Sequence, residues 1–178
     1  MTLKYFLVLL LLTASTHLFA QKIIINGTEG NRLLQWSDFS GQPDNSNPYF
    51  ANTHWDFSYR FSSTKFNGDV AEISGFEIVL QLNPYKSWVK KGKETDELLK
   101  HEQGHFNVGL LFSQEVLKKI KTASFTRNNF AAELQKLVSE IFKKYNAMNE
   151  QYDNETNHSM NKEAQARWNE FFSKEPAQ

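Results

Sequence analysis

The spacing of apolar residues changes period partway along the chain, and this constrains the fold more than any other feature. Trp55, Phe57, Tyr59 and Phe61 alternate with polar residues, and the alternation resumes at Phe76, Ile78, Leu80 and Leu82 beyond the turn signal Asn67-Gly68. A period of two presents one apolar face to a core, so an antiparallel pair is the simplest reading. Residues 22–25 form a further β-branched run that ends at Asn26-Gly27, a dipeptide suited to tight turns. Residues 41–47, with Pro43 inside and Pro48 just beyond, read as a polar loop.

From Thr95 onward the period is helical. Thr95 is a suitable N-cap, and Asp96 and Glu97 place carboxylates in the first turn, where the helix dipole favours them. This helix is expected to run to about Lys121. A second starts near Asn128-Asn129 and carries the stripe Phe130, Leu134, Leu137, Val138, Ile141, Tyr145 and Met148. A third is expected over residues 160–172, with Trp168, Phe171 and Phe172 turned inward, and residues 152–158 form a polar break before it. Strands followed by helices predict an α+β domain, an antiparallel sheet with a helical half against one face.

Residues 1–20 read as a signal peptide, with Lys4 as the charged region, a short apolar run from Tyr5 to Leu12 and cleavage expected after Ala20. The run is too short for a membrane anchor, because a spanning helix needs roughly 20 apolar residues. The expected protein is therefore secreted or periplasmic, with no membrane insertion once the leader is removed. Residues 21–178 have the size of one domain, expected to act as a monomer. The chain has no cysteine, so that domain stands on its hydrophobic core without disulfides. Lys and Arg balance Asp and Glu at zero net charge, which leaves no electrostatic footprint for nucleic acid.

The chemistry concentrates at His101-Glu102-Gln103-Gly104-His105. Histidines four apart share one face of a helix and can offer two imidazole nitrogens to one zinc ion. Glu102 then lies beside the metal, placed to take a proton from water and return it to a leaving amine. Gly104 and Gly109 each cost about 1 kcal/mol of helix propensity relative to Ala, which calls either for close approach of the sheet or a substrate backbone over the motif or for tight helix packing.

A catalytic zinc needs a third protein ligand and an open position. A metzincin arrangement is excluded, since Val108 and Leu111 occupy the places where a glycine and a third histidine would stand. His158 is the best of the remaining candidates, which also include His54, Glu133, Glu140, Asp153 and Glu155. Asp153 is favoured as the carboxylate that fixes a histidine tautomer rather than as a ligand. Tyr152 can lend its hydroxyl to a developing oxyanion, or belong to the core. His54, at the start of a strand, reads as structural.

The stretch Ser87-Trp88-Val89, the run Leu98-Leu99-Lys100-His101-Glu102-Gln103-Gly104-His105-Phe106 and the later Tyr152-Asp153, Thr156 and His158 together resemble a bacterial family of secreted proteins regarded as zinc-dependent proteases, with no established substrate. Trp36-Ser37-Asp38-Phe39 resembles its opening motif, so most of the chain is covered. Glycine usually follows the last histidine of that family, and Ser159 stands here. The resemblance implies that His101, His105 and His158 bind zinc and that Glu102 is the catalytic base. The function expected is a zincin-type metallopeptidase acting on a protein or peptide substrate. The alternative is a non-catalytic envelope module that binds zinc or a partner.

Overall fold

A computed structural model describes residues 19–174; the signal-peptide expectation falls almost entirely on residues outside that range. The first half contains β1 (Ala20–Ile25), β2 (Thr28–Glu29), a 3-10 turn (Trp36–Asp38), β3 (Ala51–Asn52), β4 (Trp55–Arg60), β5 (Ser63–Asn67), β6 (Val70–Ser74), β7 (Glu77–Leu82) and β8 (Trp88–Val89). The second half contains α1 (Asp96–Thr122), β9 (Phe125–Thr126), α2 (Phe130–Thr156) and α3 (Lys162–Lys174). The α+β expectation holds in this form, with antiparallel pairing dominant and three helices.

The main sheet has the order β2-β1-β7-β4. β4 and β7 are antiparallel neighbours, with Trp55 opposite Leu82 and Arg60 opposite Glu77. They are not one hairpin, however. The Asn67-Gly68 turn closes a separate hairpin, β5 against β6, in a three-stranded sheet completed by β9. β1 lies parallel to β7, which makes the main sheet mixed rather than purely antiparallel. β1 has two buried side chains to place, Ile23 and Ile25, and joins the sheet beside the fully buried Ile78, Leu80 and Leu82 of β7. Alternation alone carries the face of a strand and not the direction of its neighbour.

α1 packs against β7, β1, α2 and α3. It begins as expected, with the Thr95 hydroxyl accepting from the Leu98 amide at 3.2 Å. Its Val108, Phe112 and Val116 are fully buried in the same cluster as the β7 side chains. Trp55 and Phe57 from β4 stack on or edge Phe112, with centroids at 5.7 and 4.6 Å. α2 runs through the stretch read as a polar break and ends only at Thr156, so Tyr152 and Asp153 are helical. In α3, Phe172 packs on the core while Phe171 stays exposed, against the expectation for Phe171.

Gly109 is the close approach its helix position calls for. A Cβ there would lie 2.9 Å from two atoms of the Trp55 indole, a rigid ring that has no free end to move. Alanine would gain about 1 kcal/mol of helix propensity, but overpacking a filled core costs about 1–3 kcal/mol. Gly109→Ala is therefore expected to lower the urea midpoint of unfolding, against the sign that propensity alone gives.

Candidate metal centre

α1 sets His101 and His105 one turn apart with ring planes at 86°, and their Nε2 atoms approach to 3.3 Å. α2 brings Asp153 to the same point, with Oδ1 3.2 Å from His101 Nε2 and 3.1 Å from His105 Nε2. The other ring nitrogens are engaged elsewhere. His101 Nδ1 lies 3.1 Å from Gln165 Oε1 on α3, and His105 Nδ1 lies 3.1 Å from Asn149 Oδ1 on α2. Amide oxygens accept, so each Nδ1 carries a proton and each Nε2 is left to the shared space, where it donates to Asp153 when protonated and offers its lone pair when a metal cation takes the proton's place.

His101, His105 and Asp153 have the donor types and spacing to hold a metal ion. Donors on a tetrahedral ion with bonds of about 2.0–2.1 Å lie about 3.3 Å apart, and the three separations here are 3.1–3.3 Å. Two imidazoles and a carboxylate suit zinc. Burial opposes the charge on Asp153, but the hydrogen bonds and charge of His101 and His105 outweigh it and hold this carboxyl well below the usual carboxylate range. Burial likewise opposes the His105 cation and is outweighed by Asp153, Glu102 and Asn149, so its pKa is raised. The two shifts are one attraction seen from its two sides: the histidines favour the Asp153 carboxylate, and Asp153 with Glu102 favours positive charge at His105.

Glu102 is only 2 % exposed, and its Oε2 accepts a hydrogen bond from the Thr53 hydroxyl at 2.7 Å. It lines a cleft of about 410 Å³ together with Asp153 and His158. Another groove of about 500 Å³, walled by Leu33, Leu34, Leu99, Leu110 and Phe172, contains none of the cluster.

His158 reaches the cluster by an unusual turn. Asn157, His158 and Ser159 all have positive φ (46°, 50° and 77°), a run that L-residues adopt rarely. The His158 amide donates back to the Asp153 carbonyl at 3.0 Å, and Nδ1 sits 3.1 Å from the same Asp153 Oδ1 that faces the other two histidines. The Tyr49 ring stacks on the imidazole at 3.7 Å between centroids.

Tyr152 is fully buried behind the motif. Its hydroxyl donates to the His101 carbonyl at 3.0 Å and accepts from Gln165 Nε2 at 2.7 Å, and its ring stacks on His101. Burial pushes this hydroxyl up in pKa, with the Gln165 hydrogen bond opposing. A Cβ at Gly104 would land on the Tyr152 hydroxyl, which accounts for the first glycine of the helix. The other ligand candidates lie elsewhere. His54 pairs with Asp56, Glu133 holds Thr126, Glu140 faces Lys136, and Glu155 accepts from Gln151 and Trp168. Thr53, Asn149 and Gln165 are site residues absent from the sequence reading. Asn149 had a readable signal, one helical turn before Asp153; Thr53 and Gln165 depend on tertiary contacts alone.

An α+β domain with a His-His-Asp group set beside a buried glutamate is thus the class of protein defined here. Residues 21–159 match the family described as bacterial protein of unknown function (DUF922), and the chain belongs to that family. The matched segment holds the motif, Asp153 and His158, and stops short of α3 and its Gln165. No curated protein and no solved structure matches the chain.

Ser159 supplies a test of the turn. A left-handed L-residue costs about 1–2 kcal/mol, and the extra freedom of glycine in the unfolded chain takes back about 0.4–1 kcal/mol. Ser159→Gly should therefore raise the thermal midpoint modestly, read by calorimetry, while Ser159→Val lowers it.

Proposed function

We propose that the protein is a zinc-dependent hydrolase of peptide or amide bonds, with His101, His105 and Asp153 holding the metal and Glu102 as the general base. The observation that carries this reading is the convergence of three donor atoms within 3.1–3.3 Å beside a buried glutamate at a cleft. When bound there, zinc would supply Lewis acidity, polarising a carbonyl and making water nucleophilic near neutral pH.

The protein's own residues have distinct tasks. Glu102, steadied by Thr53, takes a proton from the attacking water and passes it to the leaving amine. Gln165 and Asn149 fix the tautomers of His101 and His105. For Asp153 and His158 the reading exchanges the roles expected from sequence. Asp153 ligates, and His158 hydrogen-bonds its carboxylate and keeps it aimed, because Asp153 Oδ1 is the atom shared by both motif histidines and His158 approaches that oxygen. Tyr152 buttresses the carbonyl of His101 and is assigned no oxyanion role, since its hydroxyl faces the core. The leader-like run at residues 5–12 supports action outside the cytoplasm, and no described helix is long and apolar enough to cross a membrane.

Elemental analysis of the purified chain is expected to find about one zinc, not iron, per molecule. Asp153→Ala should nearly abolish zinc binding, while His158→Ala should weaken it by about 10–100-fold, the usual effect of removing a partner of a ligand. The opposite ranking would restore His158 as the third ligand. Glu102→Gln should retain zinc and fold but lose about a hundredfold or more of turnover on a peptide the unmodified protein cleaves. Equal cleavage by that variant would overturn the hydrolase mechanism and leave a metal-binding module.

A further inference from the structure

The walls of the cleft differ in character from its floor. Tyr49 and Phe50, each 42 % exposed, come from the segment leading into β3, and Met160, 69 % exposed, comes from the turn between α2 and α3. These are large apolar side chains left open to solvent, contributed by two separate parts of the chain and gathered at the mouth that leads to Glu102. Soluble proteins bury or scatter such groups, and their convergence on one concave site marks a surface built for contact. Met160 makes a flexible, polarizable wall that adapts to different shapes. Tyr49 is held rigid by its stack on His158, so it is fixed relative to the cluster.

The charge inside the cleft points the same way. Among the described residues its acidic lining is Glu102 and Asp153, and its other polar groups are the amides Asn47, Asn52 and Asn157, the Tyr49 hydroxyl and the His158 imidazole; at its rim Lys93 Nζ lies over the Phe50 ring at 4.3 Å and Lys90 Nζ donates to the Asn47 carbonyl. A divalent cation would cancel the two carboxylates. The floor of the loaded cleft is then close to neutral, the Lys93 and Lys90 cations at the rim are already engaged by the Phe50 ring and the Asn47 carbonyl, and apolar contact becomes the main source of discrimination.

We propose that Tyr49, Phe50 and Met160 form the subsite that receives a neutral hydrophobic side chain, aliphatic or aromatic, next to the scissile bond, which makes the substrates peptides carrying such a residue. This inference rests on the hydrolase reading above, and its test separates the two. Calorimetric titration of the zinc-loaded full chain would use acetohydroxamate, which has a metal-chelating group and no side chain, and N-acetyl aminoacyl hydroxamates of Phe, Leu, Asp and Lys. The Phe and Leu compounds are expected to bind at least about tenfold tighter than the Asp and Lys compounds, the discrimination one buried hydrophobic side chain provides. Met160→Ala and Phe50→Ala should each shrink that ratio severalfold, and Met160→Lys should turn it toward the Asp compound. If all five compounds bind alike, or if the preference survives all three substitutions, the subsite assignment is overturned while the metal reading stands. If none binds, acetohydroxamate included, the hydrolase reading fails and takes the subsite with it.

Discussion

Burying His101 and Glu102, with His105 and Asp153 partly buried beside them, at the junction of α1 and α2 is the constraint around which the remaining structure is arranged. A buried polar group without a partner costs several kcal/mol and a buried charge considerably more. Each member of the cluster therefore has a partner from a different part of the chain: Thr53 for Glu102, Gln165 for His101, Asn149 for His105, and His158 with both motif histidines for Asp153. Those partners come from the β3–β4 connection, α3, α2 and the turn after α2. Removing any of these elements leaves a buried polar atom stranded, so the cluster ties together segments that the hydrophobic core alone would hold less specifically.

Two aromatic rings fix how α1 is rotated in that setting. Tyr152 packs over Gly104 and donates to the His101 carbonyl, while Trp55 packs over Gly109 and donates to the His105 carbonyl at 3.0 Å. Each glycine admits a ring, and each ring then grips the backbone of one motif histidine. A rotation of α1 would break both hydrogen bonds and drive helix atoms into both rings. The imidazoles are thereby aimed by the backbone that carries them, before any hydrogen bond to their own nitrogens is counted. Rigid helical support of this kind is what a site needs to hold donor atoms within a few tenths of an ångström.

Apolar periodicity made the helices and the buried faces of β4 and β7 legible in the sequence, because both depend on which side chains meet the core. It was blind to pairing. The Asn67-Gly68 turn is a real hairpin signal, but the strands it joins are β5, which is mostly exposed, and β6, whose inward face is just Ala71 and Ile73 and is masked in the sequence by the outward Val70. The end of α2 hides in the stretch 152–158 for a related reason: Tyr152 is its one large apolar side chain, Asp153 turns to the cluster, and Asn154 and Glu155 face solvent, so the apolar stripe stops before the helix does. Of the site, His101, Glu102 and His105 were readable from local spacing. Thr53 and Gln165 were not, because a hydroxyl in one half of the chain and an amide in the other acquire meaning only when the fold brings them to a glutamate and a histidine.

The division of labour between helices and loops has a consequence for how such a site can change. The atoms proposed to do chemistry stand on α1 and α2, which are fixed by the core, by the two glycine contacts and by the buried hydrogen bonds. The side chains proposed to recognise a substrate stand on the connection before β3 and on the 157–161 turn, where Tyr49, Phe50 and Met160 remain exposed. Substitution at those exposed positions alters no core packing, so the walls of the cleft can vary while its floor stays constant. His158 is the one residue in both groups, since its ring touches Asp153 on one side and Tyr49 on the other. Any change that repositions the turn to suit a new substrate also moves the partner of a proposed ligand. The three consecutive left-handed residues, which hold that turn in a narrow range of shapes, are the physical limit on how freely recognition can drift away from chemistry.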